Sequence, residues 1–312
     1  MSLVKIKKLK VAITGGSGFI GKRLLDKHIK NGDHVRLLSR KVRSKEVGVK
    51  YFYADLTNPN VELSRFVDGV DVLYHCAGEI NNKSLMQELH VNGTQRLVNV
   101  AQGKVGRWVQ LSSVGAYGGC RTGAITEGSK EKPLGIYERT KTDSDNLIRN
   151  SNIPHVILRP SNVFGRDMPN QSLRELLHAV RKGLFFFTGK ENESLVNYIH
   201  VQDVVEALVL CGTNDKALGE VFNLSQSTTV ENMIASFMSG SASEKKILRF
   251  PEAVVRVAAV IFGSIPGFPL TSSRVDALTN KCVYDSTKVQ KILGFRYSMT
   301  LEKGLKLFSK HQ

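Results

Sequence analysis

Cysteine is scarce and scattered in this chain. Cys76, Cys120, Cys211 and Cys282 form no C-x-x-C pair, which argues against a zinc site or a disulfide framework. Reduced thiols in a cytoplasmic compartment fit that usage. No apolar run reaches bilayer length. The most hydrophobic stretch, AVVRVAAVIFG at Ala253–Gly263, is broken by Arg256 and is too short to span a membrane. It reads as a buried or half-buried helix, with an interfacial helix as the alternative. No apolar signal core precedes Gly15. Acidic residues are in deficit, with 28 Asp and Glu against 44 Lys and Arg, a formal charge of +16. Such a surplus raises nucleic acid or an anionic membrane surface as partners. The basic residues are dispersed, however, apart from VKIKKLK (Val4–Lys10) and SRKVRSK (Ser39–Lys45). No aromatic-glycine RNA signature accompanies them, so no nucleic acid partner is expected. Anionic small substrates on a generally basic surface are the simpler reading.

What is present is alternation. Strand-like runs at Leu9–Gly15, His34–Arg40, Val49–Leu56, Val70–Gly78, Arg107–Ser113 and His155–Pro160 are separated by helical patterns. Ile20, Leu24, Leu25 and Ile29 fall at helical spacing before Gly32. Apolar strands joined through helices imply right-handed βαβ units and a parallel sheet. The expected fold is α/β, a doubly wound parallel-sheet Rossmann domain over 1–165 with a smaller mixed C-terminal substrate lobe over 166–312. The division is interleaved, because YIHV and VFNLS, near 196–225, read as strands returning to the first sheet. From Val230 to Leu270 no clean alternation is visible.

Between the first strand and the first helix stand Gly15, Gly18 and Gly21, after Thr14. Glycine lets a backbone turn tightly and approach phosphates, whose charge meets free N–H groups at a helix start. A triplet alone is equally a ligand-free turn; its place after the first strand of an alternating chain favours a dinucleotide. The next strand ends at Arg40, where NAD sites usually carry an acid and a basic residue suits a 2′-phosphate. NADP is therefore favoured over NAD, while Lys41 and Arg43 read as a solvated basic loop. Asp55 at a strand end would bond the adenine amino group or cap a helix.

In YERTK, Tyr137 and Lys141 are four apart, one helical turn. An ammonium beside a phenol is expected to lower its pKa from about 10 and make it a usable acid or base. Ser112 and Ser113 stand at a strand's carboxyl end, where α/β ligand sites form; Ser113 would hold a carbonyl oxygen or cap a turn.

Taken in order, T-G-G-S-G-F-I-G (Thr14–Gly21), Asp55-Leu56, H-C-A-G (His75–Gly78), L-S-S-V-G-A-Y-G (Leu111–Gly118), Y-E-R-T-K and R-P-S-N-V-F-G (Arg159–Gly165) resemble the extended short-chain dehydrogenase/reductase family. Within it they are most similar to the nucleotide-sugar epimerase/dehydratase branch. YIHVQDVVEAL, FNLS and YDSTKVQKILGF extend the likeness over nearly the whole chain. The resemblance implies that Ser113, Tyr137 and Lys141 are catalytic. It also implies that Gly15, Ser17, Gly18, Phe19 and Ile20 line the pyrophosphate, with Asp55 and Leu56 at the adenine. Cys76, Ala77, Gly78, Leu111, Pro160 and Val163 would line the rest of the cofactor, and Asn162 and Arg274 would hold a substrate diphosphate.

Departures from the pattern narrow the reaction. Val114 and Gly115 stand where sugar dehydratases carry an Asp-Glu pair, so water elimination is not expected. Val196 replaces an arginine common in epimerases, leaving Arg166 or Lys190 as substitutes. The expected activity is an NAD(P)-dependent 4-epimerase or 4-ketoreductase of a nucleoside-diphosphate sugar, in a cytoplasmic homodimer. The alternatives are a reductase of a hydrophobic hydroxy or keto compound, like dihydroflavonol reductases and 3β-hydroxysteroid dehydrogenases, and a non-catalytic dinucleotide-sensing regulator.

Overall fold

The computed structural model describes residues 8–41, 47–119, 121–239, 247–263 and 271–310; Arg43 and Cys120 lie outside them. Its main element is a seven-stranded sheet, parallel throughout. The spatial order is Val221–Leu224, His155–Pro160, Val105–Leu111, Val70–His75, Lys10–Thr14, His34–Ser39 and Val49–Tyr53. The doubly wound arrangement follows from strands that are apolar on both faces. Val11 and Ile13 point into one core with Val35, Leu37, Tyr74 and Val109. Ala12, between them, faces the other with Leu38, Leu73 and Trp108, as the period of two requires.

The strand order reverses between Lys10–Thr14 and Val70–His75, the switch point beyond which α/β folds place ligands. Thr14 and His75 end those strands as register partners, so Gly15 and Cys76 leave the sheet side by side. Helix Phe19–Lys30 follows the glycine turn and buries Gly21, Leu24, Leu25 and His28. Gly21 is required by packing: a Cβ there would lie 2.3 Å from the Gly15 carbonyl oxygen.

Of the two strands expected to return to the main sheet, Val221–Leu224 is its edge. Leu195–His200 is not. It sits in a separate three-stranded sheet between Asn162–Phe164 and Gln226–Thr229, because alternation identifies a strand but not its partners. A third core of Phe164, Leu173, Leu177, Met233, Leu305 and Phe308 fills this second layer. The unpatterned stretch resolves into helix Val230–Met238, the short strand Arg249–Phe250 and helix Glu252–Phe262. That last helix buries only Val255 and Ala259. Val254, Val257, Val260 and Ile261 are more than half exposed, at 57%, 58%, 73% and 60%. Among the described residues no helix is long and apolar enough to cross a membrane.

Candidate active site

A cavity of about 1420 Å³ opens along the carboxyl ends of the central strands. Its floor is the glycine turn. Gly15, Ser17, Gly18, Phe19 and Ile20 all line it. Gly15 has φ +69°, a conformation open to glycine. Gly18 is the N-cap of the following helix, which has neither a side-chain cap nor an acid in its first turn. Free N–H groups and a positive helix end therefore face the cavity, the donor set that a pyrophosphate requires. These residues fit a dinucleotide. Cys76, Ala77, Gly78, Leu111, Pro160 and Val163 continue the wall.

The adenine end differs from expectation. Arg40, Asp55 and Leu56 do not line this cavity. Asp55 Oδ1 accepts from the Thr57 N–H and hydroxyl, both at 2.9 Å, closing a local turn. Leu56 is buried in the core beside Phe66 and Leu97. Arg40 is exposed and lies close enough to Glu79 for its charge to help hold that carboxyl below its usual range.

Ser113, Tyr137 and Lys141 do converge on the cavity. Ser113 caps the short 3₁₀ turn Val114–Tyr117, its Oγ accepting from Gly115 N–H at 3.1 Å. Tyr137 and Lys141 share a face of helix Ile136–Arg149. Lys141 is 6% exposed and donates to the Leu111 carbonyl at 2.5 Å. This ties helix Ile136–Arg149 to the strand end that carries Ser113.

One expectation is reversed. Burial, with the charges of Glu138 and Asp145, pushes the Tyr137 phenol up to about 12. Burial lowers the Lys141 pKa as well. Spacing placed the ammonium one turn away but carried no information on depth, and desolvation dominates at this depth. At neutral pH Tyr137 is a protonated phenol, a proton donor in waiting. Burial likewise pushes the Cys76 thiol up to about 12, leaving it unreactive.

Behind the cavity lie two histidines to which the motifs gave no role, His75 heading H-C-A-G and His90 lying outside every motif. His75 bonds Thr14 Oγ1 at 2.8 Å and Thr94 Oγ1 at 3.0 Å. The chain continues from Thr94 to Ser144, Gln110 and Trp108, and Ala77 N–H donates to Thr14. His90 accepts from Glu79 N–H at 2.8 Å and bonds Thr140 Oγ1 at 2.8 Å. Its ring meets the edge of Tyr137 at 5.7 Å. His90 lies on a π-helical turn, Gln87–Asn92, a local widening often found at functional sites. Burial holds both histidines neutral, with pKa values lowered to about 3.

On the substrate side Asn162 lines the cavity, its amide donating to the Asn197 carbonyl at 3.2 Å. Ile80, Leu134, Glu138, Asn170, Gln202 and Tyr284 also line it, from loops whose convergence no local spacing announces. Arg274 is not brought there; it pairs with Glu175 at 2.9 Å. Arg166 and Lys190 also fall outside the lining, with Lys190 beside Glu193 at 3.8 Å. Val196 is buried. Among the described residues no cluster of His, Cys, Asp and Glu could hold a metal ion.

The model of the NAD dependent epimerase/dehydratase family matches residues 11–225. The mouse sterol-4-alpha-carboxylate 3-dehydrogenase, decarboxylating, is 24% identical, over 96% of this chain and 90% of its own. The UDP-glucose 4-epimerase of Vibrio cholerae is 24% identical, over 95% and 93%. The fold of the UDP-glucuronic acid 4-epimerase of Bacillus cereus, solved with NAD, superposes with a TM-score of 0.74 at 20% identity, covering 97% of this chain and 98% of that one. The chain belongs to the NAD dependent epimerase/dehydratase family and is an enzyme of the extended short-chain dehydrogenase/reductase type.

Proposed function

We propose that the protein transfers hydride between a nicotinamide cofactor and a sugar nucleotide, as a 4-ketoreductase or 4-epimerase. The observation that carries this is the convergence of Ser113, Tyr137 and Lys141 on the cavity that also contains the glycine turn. The turn and Cys76–Gly78 would hold the dinucleotide, which supplies or accepts hydride at its nicotinamide. Ser113 Oγ orients the substrate oxygen, Tyr137 gives it a proton, and Lys141 binds the cofactor ribose. A phenol held protonated at neutral pH suits the reductive direction, in which a developing alkoxide must gain a proton. Asn162, Asn170 and Gln202 supply neutral donors for sugar or phosphate oxygens.

We take NADP as the preferred cofactor on the strength of Arg40, although the Bacillus cereus neighbour was solved with NAD. We assign 1–165 mainly to cofactor binding and 166–312 mainly to substrate, in a cytoplasmic homodimer. A second reading, reduction of an apolar keto compound, is favoured by Val196, by Ile80 and Leu134 in the wall, and by Arg274 being tied to Glu175. The mouse relative's name points the same way.

Mass spectrometry of protein purified with its ligands, then a panel of UDP-, GDP- and dTDP-linked 4-keto sugars followed by NADPH and NADH absorbance, tests the proposal. Turnover of a nucleotide sugar is expected. Turnover confined to uncharged steroid or isoprenoid ketones would replace it with the second reading.

A further inference from the structure

The catalytic helix carries a third polar residue at the same spacing. Tyr137, Lys141 and Asp145 recur every fourth residue of Ile136–Arg149 and so share a face. Asp145 is fully buried, where a carboxylate is costly unless paired. Its Oδ2 accepts from Ser112 Oγ at 2.7 Å, from Arg159 Nη2 at 2.9 Å and from Arg159 Nε at 3.3 Å. These bonds reach two other parts of the site. Ser112 stands between Leu111, whose carbonyl accepts from Lys141, and Ser113. Arg159 precedes the Pro160–Val163 stretch of the cavity wall, and its Nη2 also donates to Glu131 Oε1 at 2.7 Å.

We propose that Asp145 is the positioning residue of this centre: through Ser112 it sets where Ser113 stands relative to Tyr137, and its charge, one helical turn from Lys141, favours the ammonium form of that lysine. Only the kinetic part rests on the oxidoreductase reading. The groups facing Lys141 come from several elements. Tyr137 and Asp145 share its helix, Cys76 leaves the strand Val70–His75, and His75 and His90 lie behind. Tyr137 and Cys76 are protonated and uncharged at neutral pH, and both histidines are neutral. Arg159 bridges Asp145 and Glu131, and Glu131 also pairs with Arg149. Of the carboxylates in that cluster it is Asp145 whose charge opposes the desolvation that lowers the lysine pKa. Its second oxygen, Oδ1, has no hydrogen-bond partner, so part of its charge is free to act on neighbours through space.

Two variants separate the tether from the charge. Asp145→Asn keeps size and removes charge, whereas Ser112→Ala removes the tether and leaves the charge. The readout is NMR of lysine labelled with ¹³C at Cε, the Lys141 signal being identified by its loss in Lys141→Arg. It is combined with amide hydrogen exchange at Ser113–Tyr117 and NADH binding by fluorescence. Asp145→Asn should lower the Lys141 titration midpoint by about one unit or more, and Asp145→Glu should restore it. Ser112→Ala should leave the midpoint in place and speed exchange at Ser113–Tyr117 about tenfold. Both should change NADH affinity less than about threefold, and both should slow reduction of a 4-keto sugar nucleotide about tenfold or more.

A folded Asp145→Asn protein with an unmoved midpoint overturns the electrostatic role, and unchanged exchange in Ser112→Ala overturns the tether. If Asp145→Asn does not fold, Asp145→Ser, which also removes the charge, takes its place in the titration, and Ser112→Ala still decides the tether. The lysine titration needs no substrate, so it stands even if Tyr137→Phe keeps full turnover and the oxidoreductase reading fails.

Discussion

The parallel sheet around the cavity and the C-terminal lobe beyond it are built differently. The sheet side sets its functional groups on strand ends and on one helix, and fixes them with buried bonds. Lys141 holds the Leu111 carbonyl, Ser112 holds Asp145, and Thr14 holds His75. The lobe side places its charges on the surface and pairs them with one another. Arg274 and Glu175 meet at 2.9 Å with side chains 55% and 59% exposed, a kind of pair worth at most about 1 kcal/mol. Its helix Glu252–Phe262 turns a row of valines outward. The difference teaches how each part is held: the residues proposed for the chemistry are fixed by buried bonds, whereas the 252–278 region is held by exposed ion pairs.

The comparison can be broken most sharply at Tyr137. Tyr137→Phe should reduce turnover about 10³-fold with NADH affinity within about threefold, by steady-state kinetics and fluorescence titration; retained turnover would move the chemistry elsewhere. Gly21→Ala comes next. Its Cβ would meet the Gly15 carbonyl at 2.3 Å, backbone that cannot yield, so about 2–3 kcal/mol of stability and about tenfold in NADH affinity should be lost. Normal melting and binding would show that the turn is looser than its packing.

Arg40→Asp should shift the NADP to NAD preference about tenfold; no shift removes Arg40 from cofactor selection. The buried histidines give a pH test of the sheet side. Their folded pKa values, about 3, lie below the ordinary 6.5, so the unfolded chain binds protons that the folded one refuses. Their stabilising contribution is complete above about pH 6.5 and is lost as pH falls towards about 3. Thermal melting should record that slope, and His90→Asn should flatten part of it. The smallest effect belongs to the lobe. Arg274→Ala should alter KM less than about twofold, and a larger rise would bring the lobe's arginine into substrate binding after all.

Legibility in the sequence followed the same divide. That Gly15, Gly18, Ser113, Tyr137 and Lys141 line one cavity was readable because each stands at a strand end, a helix start or a helix face whose pattern is local. Asp145 also left a local signal, four residues beyond Lys141, but its meaning comes from Ser112, 33 residues distant. Arg274 looked like a substrate arginine because nothing local reveals Glu175, 99 residues away. Leu195–His200 was recognisable as a strand, yet its sheet was set by the register with Asn162–Phe164 and Gln226–Thr229. The phenol pKa of Tyr137 could not be read at all, since spacing does not encode depth.

The hydrogen-bonded chain behind the cavity has a direction. Thr94 Oγ1 donates to the His90 carbonyl at 2.6 Å and Gln110 donates to Ser144. Thr94 can therefore only accept from His75 Nε2–H, and Thr14 must donate to Nδ1. Thr140 gives its proton to the Ile136 carbonyl, so His90 donates through Nδ1 and accepts the Glu79 amide through Nε2. Each ring is locked in one tautomer, assigned from its partners. Neither can pass a proton along without reversing bonds that include a backbone amide or carbonyl. This chain of bonds is an insulator rather than a wire: it fastens the strand ends behind the cavity and offers Tyr137 no route for protons from the interior.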